Sequence, residues 1–93
     1  MRITESEKNA ILLALQHADK EAAVYLFGSR VDDNAMGGDI DLLVVSQKID
    51  LLGKLDVLAE LHRALGDQKI DLAVFPDITT PFARMAVSSG ARL

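Results

Sequence analysis

Ninety-three residues allow one domain, expected to run over residues 1–93, and ten Lys+Arg against fourteen Asp+Glu leave a net charge of −4. That balance excludes a large nucleic-acid-binding surface, which needs clustered cations to displace counterions, and zero cysteines exclude disulfides, thiolate zinc sites and a Cys nucleophile. The first apolar run, Ala10 to Leu15, is too short to span a bilayer, so a soluble, cytoplasmic chain with no membrane partner is expected.

In chain order the sequence alternates helix and strand. Thr4 with Glu7 forms a capping-box pattern, because hydroxyl and carboxylate can each satisfy a free amide at a helix start. Ile11, Leu12, Leu15 and Ala18 then share one helical face. Ala23 to Phe27 is a short run rich in β-formers that stops at Gly28-Ser29, which predicts a buried strand and a sharp turn. Val31 to Gly38 is polar and ends in glycine, as a loop or a single helical turn would. Asp39 to Val45 predicts a second strand. Asp50 is placed to cap a helix whose face is Leu51, Leu55, Leu58, His62 and Leu65, with Gly66 ending it. Ile70 to Phe75 predicts a third strand. Thr80 before Pro81 opens a last helix through about Ser88, followed by Gly90. The order α-β-(turn)-β-α-β-α predicts a small α/β (α+β) domain in which helices flank a mixed sheet.

Three features carry chemistry: the Gly28-Ser29 turn, the Asp39-Ile40-Asp41 triplet and Asp71. Strand side chains alternate, so Asp39 and Asp41 face one way while Ile40, Leu42 and Val44 face the other. Two like charges at the mouth of an apolar strand repel each other and call for a cation or donor. Asp71 repeats the arrangement at the head of the third strand. If the second and third strands are neighbours, three carboxylates converge at one edge, an all-oxygen set suited to Mg²⁺ shared with substrate phosphates. Glycine lets backbone approach a ligand closely, and amides exposed beyond the turn attract phosphate. Taken singly, each aspartate reads as a turn or cap residue; the ordered combination is what points to a site.

The stretch LFGSR, then GDIDLLV, then KIDLAV resembles the nucleotidyltransferase domain of the DNA polymerase β superfamily. Its brevity is most similar to the minimal nucleotidyltransferases, the MNT proteins. The resemblance covers Tyr25 to Phe75 and implies the nucleotidyltransferase fold. By position it implies that Asp39, Asp41 and Asp71 are catalytic and hold two Mg²⁺ ions, while Gly28 and Ser29 grip a nucleoside triphosphate, with ATP the expected donor. Many relatives carry arginine three positions after the serine. Here that position is Asp32, and Arg30 is expected to take the phosphate instead, since a guanidinium fork suits phosphate oxygens. The implied reaction moves a nucleoside monophosphate onto a hydroxyl. Because the motifs occupy most of the chain, the acceptor is expected on another molecule.

Stand-alone MNT proteins often pair with a helical HEPN-domain protein, a toxin of RNase type, and act as its antitoxin; the resemblance implies the same partner here. The aliphatic surplus, 49% apolar residues with 4% aromatic, is compatible with such pairing, and homo-oligomerisation stays open. Two other readings stand beside this one: a non-catalytic antitoxin that acts by binding alone, and a nucleotide-binding module without a partner. His17, His62, Met36 and Tyr25 read as structural or surface residues, and Lys48, Lys54, Arg63 and Lys69 as a scattered, solvated set.

Overall fold

In chain order the elements are α1 (Glu5–Ala18), β1 (Ala23–Phe27), β2 (Ile40–Val45), α2 (Leu51–Leu65), β3 (Ile70–Phe75), α3 (Pro81–Ser89) and β4 (Ala91–Arg92). The computed structural model describes residues 3–28 and 39–93. The capping box at the head of α1 forms as expected: the Glu7 amide donates to Thr4 Oγ1 at 3.0 Å and the Thr4 amide to Glu7 Oε1 at 2.8 Å. Asp50 caps α2 by accepting from the Gly53 amide at 2.8 Å. Thr80 caps α3 by accepting from the Ala83 amide at 3.2 Å, with Pro81 in the first turn where its missing N–H costs nothing.

The four strands form one mixed sheet in the order β3-β2-β1-β4. β1 runs antiparallel to β2 and β4, whereas β2 and β3 are parallel and joined through α2. Alternation along each strand divides the core in two. Val24, Leu26, Ile40, Leu42, Val44, Ile70 and Leu72 face α1 and α2, where Ile11, Ala14, Leu15, Val57 and Leu61 close over them. The opposite face carries Tyr25, Phe27, Leu43, Val45 and Phe75 against Ala83, Ala86 and Val87 of α3. The three-layer α/β arrangement fits the nucleotidyltransferase fold implied by the sequence.

Three details differ from the sequence reading. The apolar face of α2 is rotated: Val57 and Leu61 are buried and Leu58 and Leu65 half-buried, while Leu51 and Leu55 are exposed by 71% and 53% and His62 also faces outward. The stripe of leucines was the louder pattern. Val57 and Leu61, one helical turn apart, instead set the seam against α1 and the sheet. β4 was not expected; its two residues pair with Tyr25 and Leu26, and the turn into it needs Gly90, where a Cβ would collide with the Ala86 and Leu26 carbonyl oxygens. The second strand begins at Ile40 rather than Asp39, since the ladder opens with the Ile40 amide donating to the Lys69 carbonyl at 3.0 Å.

Candidate active site

The parallel register of β2 and β3 sets Asp41 directly beside Asp71, both on the face that carries α3. Across the antiparallel seam Asp41 stands opposite Phe27, the last residue of β1. Gly28 follows at φ +79°, the left-handed region open to glycine, and a Cβ at this position would overlap Asp41 Oδ2. The turn leaving β1 therefore starts with bare backbone lying against a carboxylate.

The electrostatics of the pair follow from this packing. Burial pushes the Asp41 carboxyl above its ordinary 3.8, and the hydrogen bond and charge of Asp71 push it further; Asp39 adds to the effect and Lys69 opposes it. Asp39 lies just before β2, where Lys69 Nζ is 3.6 Å from its Oδ2 in a solvent-exposed ion pair. Among the described residues no three acidic or histidine side chains are set for a metal ion. Of the three expected carboxylates, then, Asp41 and Asp71 are brought together, while Asp39 is near enough to be felt but is engaged by Lys69. Ser29 and Arg30, with Asp32, Met36 and Gly38, lie outside the described residues.

The donor set fits a hard divalent cation. Two carboxylates pressed together at a cost offer only oxygen ligands, and Mg²⁺ is commonly held by one or two carboxylates with water and substrate phosphate completing its shell. A cleft of about 340 Å³ opens beside the pair, lined by Phe27, Asp41, Leu42, Asp71, Leu72, Ala73 and Phe82. Phe82 was missed in the sequence, although Pro81 at the helix start fixes its place. Its ring stands edge-on to Phe27, centroids 5.8 Å apart at 83°, and tilted against Phe75 at 5.8 Å and 42°.

Residues read as structural sit away from this cleft. His17 Nδ1 and Glu60 Oε1, 3.0 Å apart, tie α1 to α2 on the far side of the sheet. Tyr25 is half-buried with the Arg92 guanidinium 5.9 Å over its ring. No described helix is long and apolar enough to cross a membrane.

The family model "Polymerase beta, Nucleotidyltransferase" matches residues 9–93, nearly the whole chain and both strands that carry the aspartates. The chain belongs to this family. No curated protein sequence matches it. This polymerase β-type domain is thus a member of a nucleotidyltransferase family, whose members generally work with divalent metals. The match runs through the Gly28 turn, Asp39, Asp41 and Asp71.

Proposed function

We propose that this domain transfers a nucleoside monophosphate from a nucleoside triphosphate, ATP in our reading, to a hydroxyl on a partner protein, and that it serves in the cytoplasm as the MNT antitoxin of a HEPN-type toxin. The observation that carries the catalytic part is the Asp41–Asp71 pair, in register on parallel strands beside the bare backbone of Gly28. Membership of the polymerase β family supports it.

Asp41 and Asp71, joined by Asp39 once it is released from Lys69, are the residues that would hold Mg²⁺. Bound there, two ions would neutralise the triphosphate and lower the pKa of the acceptor hydroxyl. The chain's own contribution is position and proton traffic. The acceptor oxygen forms a bond to the α-phosphorus while the bond from that phosphorus to the bridging oxygen breaks, and pyrophosphate departs. Asp71, exposed at the edge strand, accepts the hydroxyl proton. In this reading the Gly28 backbone, with Ser29 and Arg30 next in sequence, would hold the β- and γ-phosphates in line.

A second reading, neutralisation by binding alone, is favoured by the Lys69–Asp39 ion pair and by Asp32 where many relatives carry arginine. Incubating the purified domain with its helical partner, α-labelled ATP and Mg²⁺ separates the two. Covalent label on the partner, abolished by Asp41→Asn, is the expected result. A stable complex that carries no label would leave only the binding function.

A further inference from the structure

Phe82 occupies an odd position for a phenylalanine. It is the second residue of α3, a helix whose fully buried residues against the sheet are the small Ala83 and Ala86. The residue is 43% exposed, yet its ring is braced on two sides, edge-on by Phe27 and at a tilt by Phe75. Such bracing holds the ring in place without hiding it, at little conformational cost on binding. The same ring lines the cleft that contains Asp41 and Asp71.

The floor between them is Ala73. It follows Asp71 by one side-chain period on the same face of β3, roughly 7 Å further along the strand. A methyl group there leaves open space that a larger side chain would fill. Two carboxylates, a low floor and an exposed aromatic ring therefore line one cleft, and a nucleotide has a phosphoryl group, a sugar and a base to set against them. A cleft of about 340 Å³ lies at the small end of ligand sites, which run from about 300 Å³ upward.

We infer that Phe82 is the stacking platform for the nucleobase of the donor nucleotide, with Ala73 as the floor beneath its sugar. The assignment rests on the nucleotidyl-transfer reading of Asp41 and Asp71, and it deepens that reading by naming what recognises the base. Stacking of a base on an aromatic ring is sequence-tolerant, because every base offers a π-face. Phe82 therefore supplies affinity for nucleotides in general rather than a choice of base.

The test is equilibrium binding by the whole domain, in Mg²⁺, of two probes: a non-hydrolysable ATP analogue and inorganic tripolyphosphate. Phe82→Leu keeps apolar bulk against Phe27 and Phe75 but removes the π-face, and Phe82→Trp enlarges it; circular dichroism and thermal melting confirm that each variant folds. Phe82→Leu is expected to weaken the ATP analogue roughly tenfold while leaving tripolyphosphate unchanged, and Phe82→Trp to restore or exceed wild-type affinity. Equal loss for both probes, or no loss for either, overturns the platform. Label transfer lost while affinity for the analogue is kept would put Phe82 on the acceptor side and overturn it as well. These outcomes are separable from the activity question: a domain that binds the analogue through Phe82 but labels no partner keeps the platform and loses the transferase.

Discussion

Replacing Asp41 by asparagine should make the metal-free protein more stable while abolishing its chemistry. Neighbouring strands lie about 4.8 Å apart, so carboxylates in register meet at about 4 Å. Two unit charges at that distance repel by about 4 kcal/mol at an effective dielectric of 20. Asp71 is exposed and Asp41 half-buried, so water and salt screen most of this, leaving about 1 kcal/mol against the fold. Asparagine removes the charge, keeps the shape and can donate its amide to Asp71. For a domain of this size about 1 kcal/mol corresponds to a rise of roughly 4–8 °C in Tm. The assay is thermal melting by circular dichroism, in EDTA and again in Mg²⁺. Wild type should gain stability with Mg²⁺, by about 1.4 kcal/mol at ten times the Kd, and Asp41→Asn should not. Asp39→Asn is the internal control: its carboxylate is paired with Lys69 in solvent, so its Tm in EDTA should move little. A fall in the metal-free Tm of Asp41→Asn would mean that the carboxylate is a structural acceptor, and would refute the argument from repulsion.

The remaining predictions concern the parts that hold this pair in place. Gly28→Ala should destabilise the fold by about 1–2 kcal/mol for its φ of +79° and displace the Asp41 carboxylate besides, so denaturant melts should shift and transfer should be lost. On α2, Leu61→Ala should cost about 2–5 kcal/mol and Leu55→Ala less than about 0.5 kcal/mol, measured by urea unfolding; equal costs would contradict the observed rotation of the helix. Asp19, 6% exposed, accepts from Ser46 Oγ at 2.6 Å, and this bond, followed by the Glu21 amide, holds its carboxyl below the ordinary 3.8. A depressed carboxyl contributes stability that is present above 3.8 and lost as pH falls through the folded value. Melting temperature should therefore drop below that pH more steeply in wild type than in Asp19→Asn.

Legibility of the fold in the sequence varied with how local each determinant is. Thr4-Glu7, Asp50 and Thr80-Pro81 mark their helix starts because a cap is decided within four residues. The three principal strands stand out for the same reason, each an apolar run bounded by breakers. The face of α2 was misread because which of Leu55 and Val57 turns inward depends on α1 and the sheet, not on the helix itself. β4 escaped notice because two residues carry no periodicity; it exists through the close approach of Gly90 to β1. At the site, alternation placed Asp39 and Asp41 on one face. The adjacency of Asp41 and Asp71 needed the β2–β3 pairing, which no local pattern declares. The Lys69–Asp39 contact arises from that same pairing, since Lys69 precedes β3 as Asp39 precedes β2. Phe82 was invisible because its significance lies in its two ring partners, Phe27 and Phe75, on strands far from it in sequence.

The division of each strand between two faces also explains how the domain tolerates a strained site. On β2, Ile40, Leu42 and Val44 are fully buried toward α1 and α2, and they lock the strand's position and register from behind. On β3, Ile70 and Leu72 do the same for Asp71. A slip of one residue in either strand would turn its aspartate into the core and its aliphatics into water, so the register that forces the two carboxylates together is itself enforced by hydrophobic burial. The repulsion worked out above, about 1 kcal/mol, is small beside the burial of five aliphatic side chains at about 1.5–3 kcal/mol each. Burial therefore outweighs the repulsion and holds the two carboxylates in register for a cation to bind.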